Sequence, residues 1–254
     1  PCQGEGGMIL FFIVVFIVNV IEAIAGFGSI SIGVPILSIF MGAEDSIAIL
    51  TVTSLLMLLI MFVTQFKKIN WKEFLIILAC ILPIMPFGYM LFAKLRYSEW
   101  ALRLIIGVLV TLVSGREIIR MLRKKEEKPM SKVGMYIALG VGSVIQGMLT
   151  MGAPLINIYA LNRLRDKSTF RATMVTVWLA TNVITTVYRA LVMDVYTKPI
   201  LRNIAYALPL VVVAFVIGNY LHHKISNEKF SNFVYIIQFT AGLISIAGGI
   251  GALI

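Results

Sequence analysis

The 254 residues are 59% hydrophobic and 13% charged, with a mean hydropathy of +0.95. A soluble domain averages roughly 25% charged residues, so composition excludes a water-soluble enzyme or nucleic-acid module and implies an integral membrane protein. The net charge of +10 does not indicate nucleic acid, because the basic residues sit in short loops beside apolar runs, where they set orientation. The runs lack the ten-residue alternation of barrel strands and read as helices.

In chain order, Pro1 to Gly7 reads as an expression-tag remnant ahead of a natural start at Met8. Met8 to Ala25 is an apolar helix carrying Asn19 and Glu22, three apart and so on one face. The stretch Ala25-Gly26-Phe27-Gly28-Ser29-Ile30-Ser31-Ile32-Gly33-Val34-Pro35 then interrupts a run apolar enough to continue across a bilayer. Irregular backbone at membrane depth is tolerated only where protein or a water-filled cavity supplies hydrogen-bond partners. Ser29 to Met41 reaches about 20 Å as a helix, short of the roughly 30 Å hydrocarbon core, and reads as a half-helix. The acidic turn Gly42-Ala43-Glu44-Asp45 opens the helix Ser46 to Phe66, which ends at Lys67, Lys68 and Lys72. Phe74 to Phe92 follows, bent by Pro83 and Pro86, and Ser98 to Met121 runs into the polar loop Arg123-Lys124-Lys125-Glu126-Glu127-Lys128-Pro129.

Beyond that loop the pattern returns. Lys132 to Leu149 leads into a second break, Gln146-Gly147-Met148-Leu149-Thr150-Met151-Gly152-Ala153-Pro154. Ala153 to Leu161, Ser168 to Met193, Pro199 to Leu221 and Phe230 to Ile254 complete five elements that match the first five. A shift of 124 places Val20-Ile21-Glu22 on Val144-Ile145-Gln146, Gly28 on Gly152, Ile32 on Ile156, Leu37 on Leu161 and Ala48 on Ala172. With drift, Leu82-Pro83 meets Leu208-Pro209. The expected organisation is a first transmembrane repeat over residues 8–121, a basic linker over 122–131 and a second repeat over 132–254. If all ten elements cross, sixteen of the 22 Lys and Arg residues share the linker's side, which makes the linker cytoplasmic and both termini external. An odd number of spans per repeat makes the halves inverted copies, with broken or half helices at the centre. If the short elements are re-entrant, each half has four spans and the repeat is parallel. Ten crossings account better for the charge bias.

Paired breaks in two halves point to a transporter's binding site. Half-helix N-termini carry unpaired N–H groups and the positive end of the helix dipole, so two of them converging at the midplane suit an anion. Gly28, Ser29 and Ser31 would line one mouth, and Gln146, Thr150, Gly152 and Ala153 the other. The same glycines and serines also read as small residues that let helices pack closely. Glu22, ionisable within a membrane helix, is a functional candidate by default, and its neutral counterpart Gln146 suggests that one member of the pair carries a proton while the other only hydrogen-bonds. Glu22 also reads as a structural partner of Arg189 or as a group near the interface. Arg189 would either snorkel outward or attract an anion at the outer mouth, and Arg171 reads as a cytoplasmic anchor. The threonines 176, 181, 185 and 186 make Ser168 to Met193 wetter than its counterpart, while Asn157, Asn162, Asn182 and Gln65 read as interhelical hydrogen-bonders. His222 and His223 read as interfacial and lack metal-site spacing. Cys2 and Cys80 offer neither a disulfide framework nor a CxxC site. No Walker, Gly-x-Ser-x-Gly or His-Glu-x-x-His sequence occurs, so no catalytic constellation, metal or cofactor is expected.

Gly26-Phe27-Gly28-Ser29 leading to Pro35-Ile36-Leu37 and Gly42, the repeated Gly152-Ala153-Pro154, the run Phe170-Arg171-Ala172-Thr173 and the segment Pro209 to Gly218 resemble the TauE/SafE family, also called the sulfite exporter or TSUP family. The likeness covers both repeats from Met8 onward. Ser29, Ile30, Ser31 and Ala153 stand where that family is usually richer in glycine. The resemblance implies a multi-pass protein of a bacterial or archaeal cytoplasmic membrane that moves small sulfur-containing anions such as sulfite, thiosulfate, sulfoacetate or related organosulfonates. Its partners would be the small anion and the lipid bilayer, with no nucleic acid and with a homo-oligomer left open. A passive anion channel and a membrane assembly factor are the alternative readings.

Overall fold

The computed structural model describes residues 5–123, 131–164, 166–222, 224 and 227–252. Cys2, most of the polar linker, Arg165 and His223 lie outside them. The described residues form ten α-helices: α1 Glu5–Ala25, α2 Ser29–Met41, α3 Ala43–Gln65, α4 Trp71–Leu95, α5 Glu99–Leu122, α6 Lys132–Leu149, α7 Ala153–Arg163, α8 Lys167–Leu191, α9 Lys198–His222 and α10 Asn227–Gly251. A 3-10 turn, Phe66–Lys68, follows α3. Both breaks fall where the sequence places them. Helix α4 runs unbroken through Pro83 and Pro86, and α3 starts three residues before the expected Ser46, taking Glu44 and Asp45 into its first turn, where acidic groups suit the helix dipole.

Five helices, α1, α3, α4, α6 and α9, are long and apolar enough to cross a membrane. α5 falls short of that description because Arg103, Arg116, Glu117 and Arg120 punctuate it, and α8 because its threonines dilute it. At 13 and 11 residues, α2 and α7 reach about 20 and 17 Å. Outward faces carry Leu59, Val63, Phe87, Met90, Val212 and Val216, all exposed. Water would disfavour such a surface, whereas lipid tails solvate it. The protein is therefore an integral membrane protein.

Helix α1 packs on α9, α6 on α4, α5 on α10, and α3 on α8. Small residues set the closest crossings. A Cβ at Gly88 or Gly147 would fall on the facing backbone of α6 or α4, and one at Gly218 would meet Ala23 and Val20 O of α1. At one end of the bundle Arg96 Nη2 meets Glu44 Oε1 at 2.7 Å, Arg96 Nη1 donates to Met193 O at 3.4 Å, and Ala43 N donates to Glu99 Oε2 at 3.3 Å. That end gathers the starts of α3 and α5 with the ends of α4 and α8. At the other end Arg163 Nη2 meets Glu73 Oε1 at 2.9 Å and Asn70 N donates to Thr173 Oγ1 at 3.0 Å, which gathers the end of α7 with the starts of α4 and α8. Helices α3 and α8 thus begin at opposite ends.

Candidate functional site

The two breaks share one pattern of backbone hydrogen bonds. Helix α1 ends with Gly26 N donating to Glu22 O at 2.7 Å, and α2 begins with Ile32 N donating to Gly28 O at 3.1 Å. Helix α6 ends with Thr150 N donating to Gln146 O at 2.9 Å, and α7 begins with Ile156 N donating to Gly152 O at 3.0 Å. Each residue of the second set is the 124-shifted counterpart of one in the first. The residues that end the first helix of each pair match as well, Gly26 with φ 85° and Thr150 with φ 59°, whereas Gly28 and Gly152 differ, at φ 113° and −71°. Left-handed backbone suits glycine but is an outlier for a β-branched residue, so the second break holds strain of the kind that collects at functional sites.

Between the breaks lies a cavity of about 30 Å³, lined by Glu22, Phe27, Gly28, Ile30, Ser31, Ser54, Gln146, Thr150, Met151, Ala153, Trp178 and Asn182. One water occupies roughly 10–15 Å³ by that measure, so the space suits a small ion stripped of its hydration shell. Six of the nine residues singled out from the sequence line it: Glu22, Gly28, Ser31, Gln146, Thr150 and Ala153. Ser29, Gly152 and Arg189 do not.

A chain of side chains joins the halves across this space. Ser54 Oγ donates to Glu22 Oε1 at 2.7 Å, Asn182 Nδ2 reaches Ser54 Oγ at a long 3.4 Å, and Gln146 Nε2 reaches Asn182 Oδ1 at 3.5 Å and Thr181 Oγ1 at 3.3 Å. Gln146 Oε1 then accepts from Gly152 N at 3.0 Å. Glu22 is therefore not the partner of Arg189; it is buried, at 3% exposed. Its Oε2, Thr150 Oγ1 and Trp178 Nε1 are buried without a hydrogen-bond partner. Buried polar atoms without partners are uncommon and call for an explanation, and all three residues line the same cavity.

Several expectations need correction. Ser31 Oγ donates to Gly28 O at 3.1 Å and accepts from Gln238 Nε2 at 2.9 Å, so its single proton serves the turn and is not offered to a ligand. The two mouths are unequal donors. In α7, Gln146 takes Gly152 N–H, Pro154 has none, and Leu155 N donates to Gly152 O at 3.2 Å, whereas the first N–H groups of α2 have no partner within their own helix.

The arginines of α8 lie behind the breaks. Arg189 is 1% exposed and does not snorkel. Its Nη2 donates to Met148 O at 3.2 Å and its guanidinium lies 4.4 Å from the centre of the Phe92 ring, because the last carbonyls of α6 lack intrahelical donors and attract a cation. Arg171 does the same for α1, with Nη2 donating to Ala23 O at 2.5 Å, and His222 Nδ1 sits 2.9 Å from Ile24 O. Arg171 thus anchors a helix end, and His222, at the last residue of α9, is tied to the end of α1.

Trp178 and Ser54 escaped the sequence reading. Their signal was the same 124-residue shift that pairs Glu22 with Gln146, which also places Ser54 on Trp178. Asn182 lies four residues further along the same face of α8.

Residues 11–250 match the family model described as sulfite exporter TauE/SafE. No curated protein and no solved structure matches the chain.

Proposed function

The chain belongs to the sulfite exporter TauE/SafE family, and from that premise we propose that it is a secondary transporter of small sulfur-containing anions such as sulfite, thiosulfate, sulfoacetate or related organosulfonates. The single observation that carries this reading is the shared cavity, where both breaks meet and where Glu22 Oε2, Thr150 Oγ1 and Trp178 Nε1 lack partners. A small oxyanion would accept from the hydroxyl, the indole N–H and the first N–H groups of α2, with the positive ends of α2 and α7 adding to the attraction.

Two inverted-topology repeats working by alternating access are the proposed mechanism. The matched turn hydrogen bonds support the repeat, and the opposite starts of α3 and α8 support the inversion. So does the packing: exchanging each helix for its counterpart turns α1 on α9 into α6 on α4 and returns α5 on α10 and α3 on α8 to themselves. Positive residues on the linker's side support a cytoplasmic linker and a cytoplasmic-membrane location. Glu22 would carry a coupled proton, since it is the one ionisable group lining the cavity among the described residues.

Uptake and efflux of radiolabelled sulfite and thiosulfate in proteoliposomes test the reading. Glu22→Gln is expected to transport with flattened pH dependence; an unchanged profile removes Glu22 as proton carrier. Accelerated counterflow identifies a carrier, and its absence identifies a passive channel.

A further inference from the structure

We infer that the central cavity is a monoanion site: it takes singly charged oxyanions of the hydrogensulfite or alkylsulfonate kind and excludes divalent ones such as sulfate, thiosulfate or sulfoacetate. This rests on the anion-site reading above and narrows it.

Charge is the reason. Among the described residues lining the cavity there is no Lys, Arg or His, and the one charged side chain is the carboxylate of Glu22. The positive charge available comes from the N-termini of α2 and α7, each equivalent to roughly half an elementary charge. Together they offset about one negative charge. A second one, whether on a dianion or on an ionised Glu22 beside a monoanion, would stand uncompensated in a low-dielectric space, where unpaired charge is strongly disfavoured.

The nearest cations stand outside the lining. Arg171 precedes Trp178 by seven residues and Arg189 follows Asn182 by seven, about 10 Å along α8 in either direction. Each turns one N–H to a backbone carbonyl, Arg171 to Ala23 O and Arg189 to Met148 O, and although Arg171 Nε and Arg189 Nε and Nη1 keep no partner, neither side chain lines the cavity; His222 lies against Ile24 O. The remaining contacts are neutral. Trp178 Nε1 can only donate, Thr150 Oγ1 can donate, and Ser54 and Asn182 occupy the other carboxylate oxygen and its neighbour. Either monoanion is taken with Glu22 protonated, accepting from Trp178, Thr150 and the Glu22 carboxyl, because an ionised Glu22 would already use the one negative charge that the helix ends offset. The volume of about 30 Å³ further favours a compact head that sheds its water, and a monoanion sheds water far more readily than a dianion.

The test uses the full chain in lipid nanodiscs. Of the 3 tryptophans, Trp71 and Trp100 are exposed; replacing both by Phe leaves Trp178 to report from inside the cavity. Methanesulfonate, monovalent throughout, and sulfate, divalent at neutral pH, are titrated in turn, following Trp178 emission and melting temperature. Methanesulfonate is expected to bind at least about tenfold more tightly than sulfate, a gap of about 1.4 kcal/mol, and more tightly as pH falls. In Glu22→Gln the preference is expected to persist while the pH dependence disappears. Sulfate binding as tightly as methanesulfonate overturns the inference and leaves the anion site standing. Loss of the preference in Glu22→Gln assigns the discrimination to the carboxylate alone, which also overturns it. If neither anion changes emission or melting temperature, the anion-site reading fails and the inference with it.

Discussion

The α1–α2 and α6–α7 breaks share their turn hydrogen bonds and differ in what their side chains do. At the second, Gln146 folds back on Gly152 N and reaches Thr181 and Asn182, so its polar atoms stabilise the turn itself. At the first, Glu22 takes a hydrogen bond from Ser54 and leaves Oε2 without a partner. One break is closed on itself and holds its strain at Thr150; the other uses glycine for the turn and leaves its acid available.

Substitutions that make the breaks alike should break that comparison. The largest expected effect is at the helix crossings behind them. Gly147→Ala puts a methyl against Met85 O and should cost about 3 kcal/mol, whereas Ala23→Gly at the matched position of α1 should cost about 1 kcal/mol; unfolding in detergent micelles measures both. Next comes Gln146→Glu. It removes the donor to Thr181 and Asn182 and sets a carboxylate against Asn182 Oδ1, at an expected loss of about 2 kcal/mol. Glu22→Gln should leave stability unchanged or higher, since it removes a buried charge. A smaller effect separates the turn residues. Thr150→Gly should raise stability by about 1 kcal/mol by relieving its left-handed backbone, with weaker anion binding from the lost hydroxyl. Gly26→Ala should lower stability by a similar amount, because its φ of 85° disfavours a side chain and a Cβ would stand 3.1 Å from Arg171 Cγ.

The smallest effect is far from either break. In the loop before α8, the Thr169 backbone N–H donates to Asp166 Oδ2 at 2.7 Å and holds the exposed Asp166 carboxyl below its usual range. A lowered carboxyl stabilises the fold above its unfolded pKa, and the contribution fades as pH falls through the folded value. Asp166→Ala should therefore lower melting temperature slightly at neutral pH and not in acid.

The breaks were legible because Gly26, Gly28, Gly152 and Pro154 are costly inside a helix and because Glu22 and Gln146 stand out in apolar runs. The 124-residue shift set the two breaks side by side as a pair, and both contribute to one cavity. Arg189 was misread because sequence shows a cation near a helix end but not which carbonyls lack donors; the end of α6, 41 residues away, attracts it. The Ser31 hydroxyl was expected to face a ligand, and only the fold reveals Gln238, 207 residues on, as its partner. Trp178 was hidden by its apolar bulk, which suits a core position as well as it suits a donor.

The most direct test is where an anion binds. Soaking crystals with hydrogenselenite, a heavier analogue of hydrogensulfite, would locate it by the anomalous signal of selenium. The expected peak lies between the two breaks, within hydrogen-bonding distance of Trp178 Nε1 and Thr150 Oγ1. A peak at the guanidinium of Arg189 or Arg171, with the cavity empty, would contradict a site built from paired helix breaks.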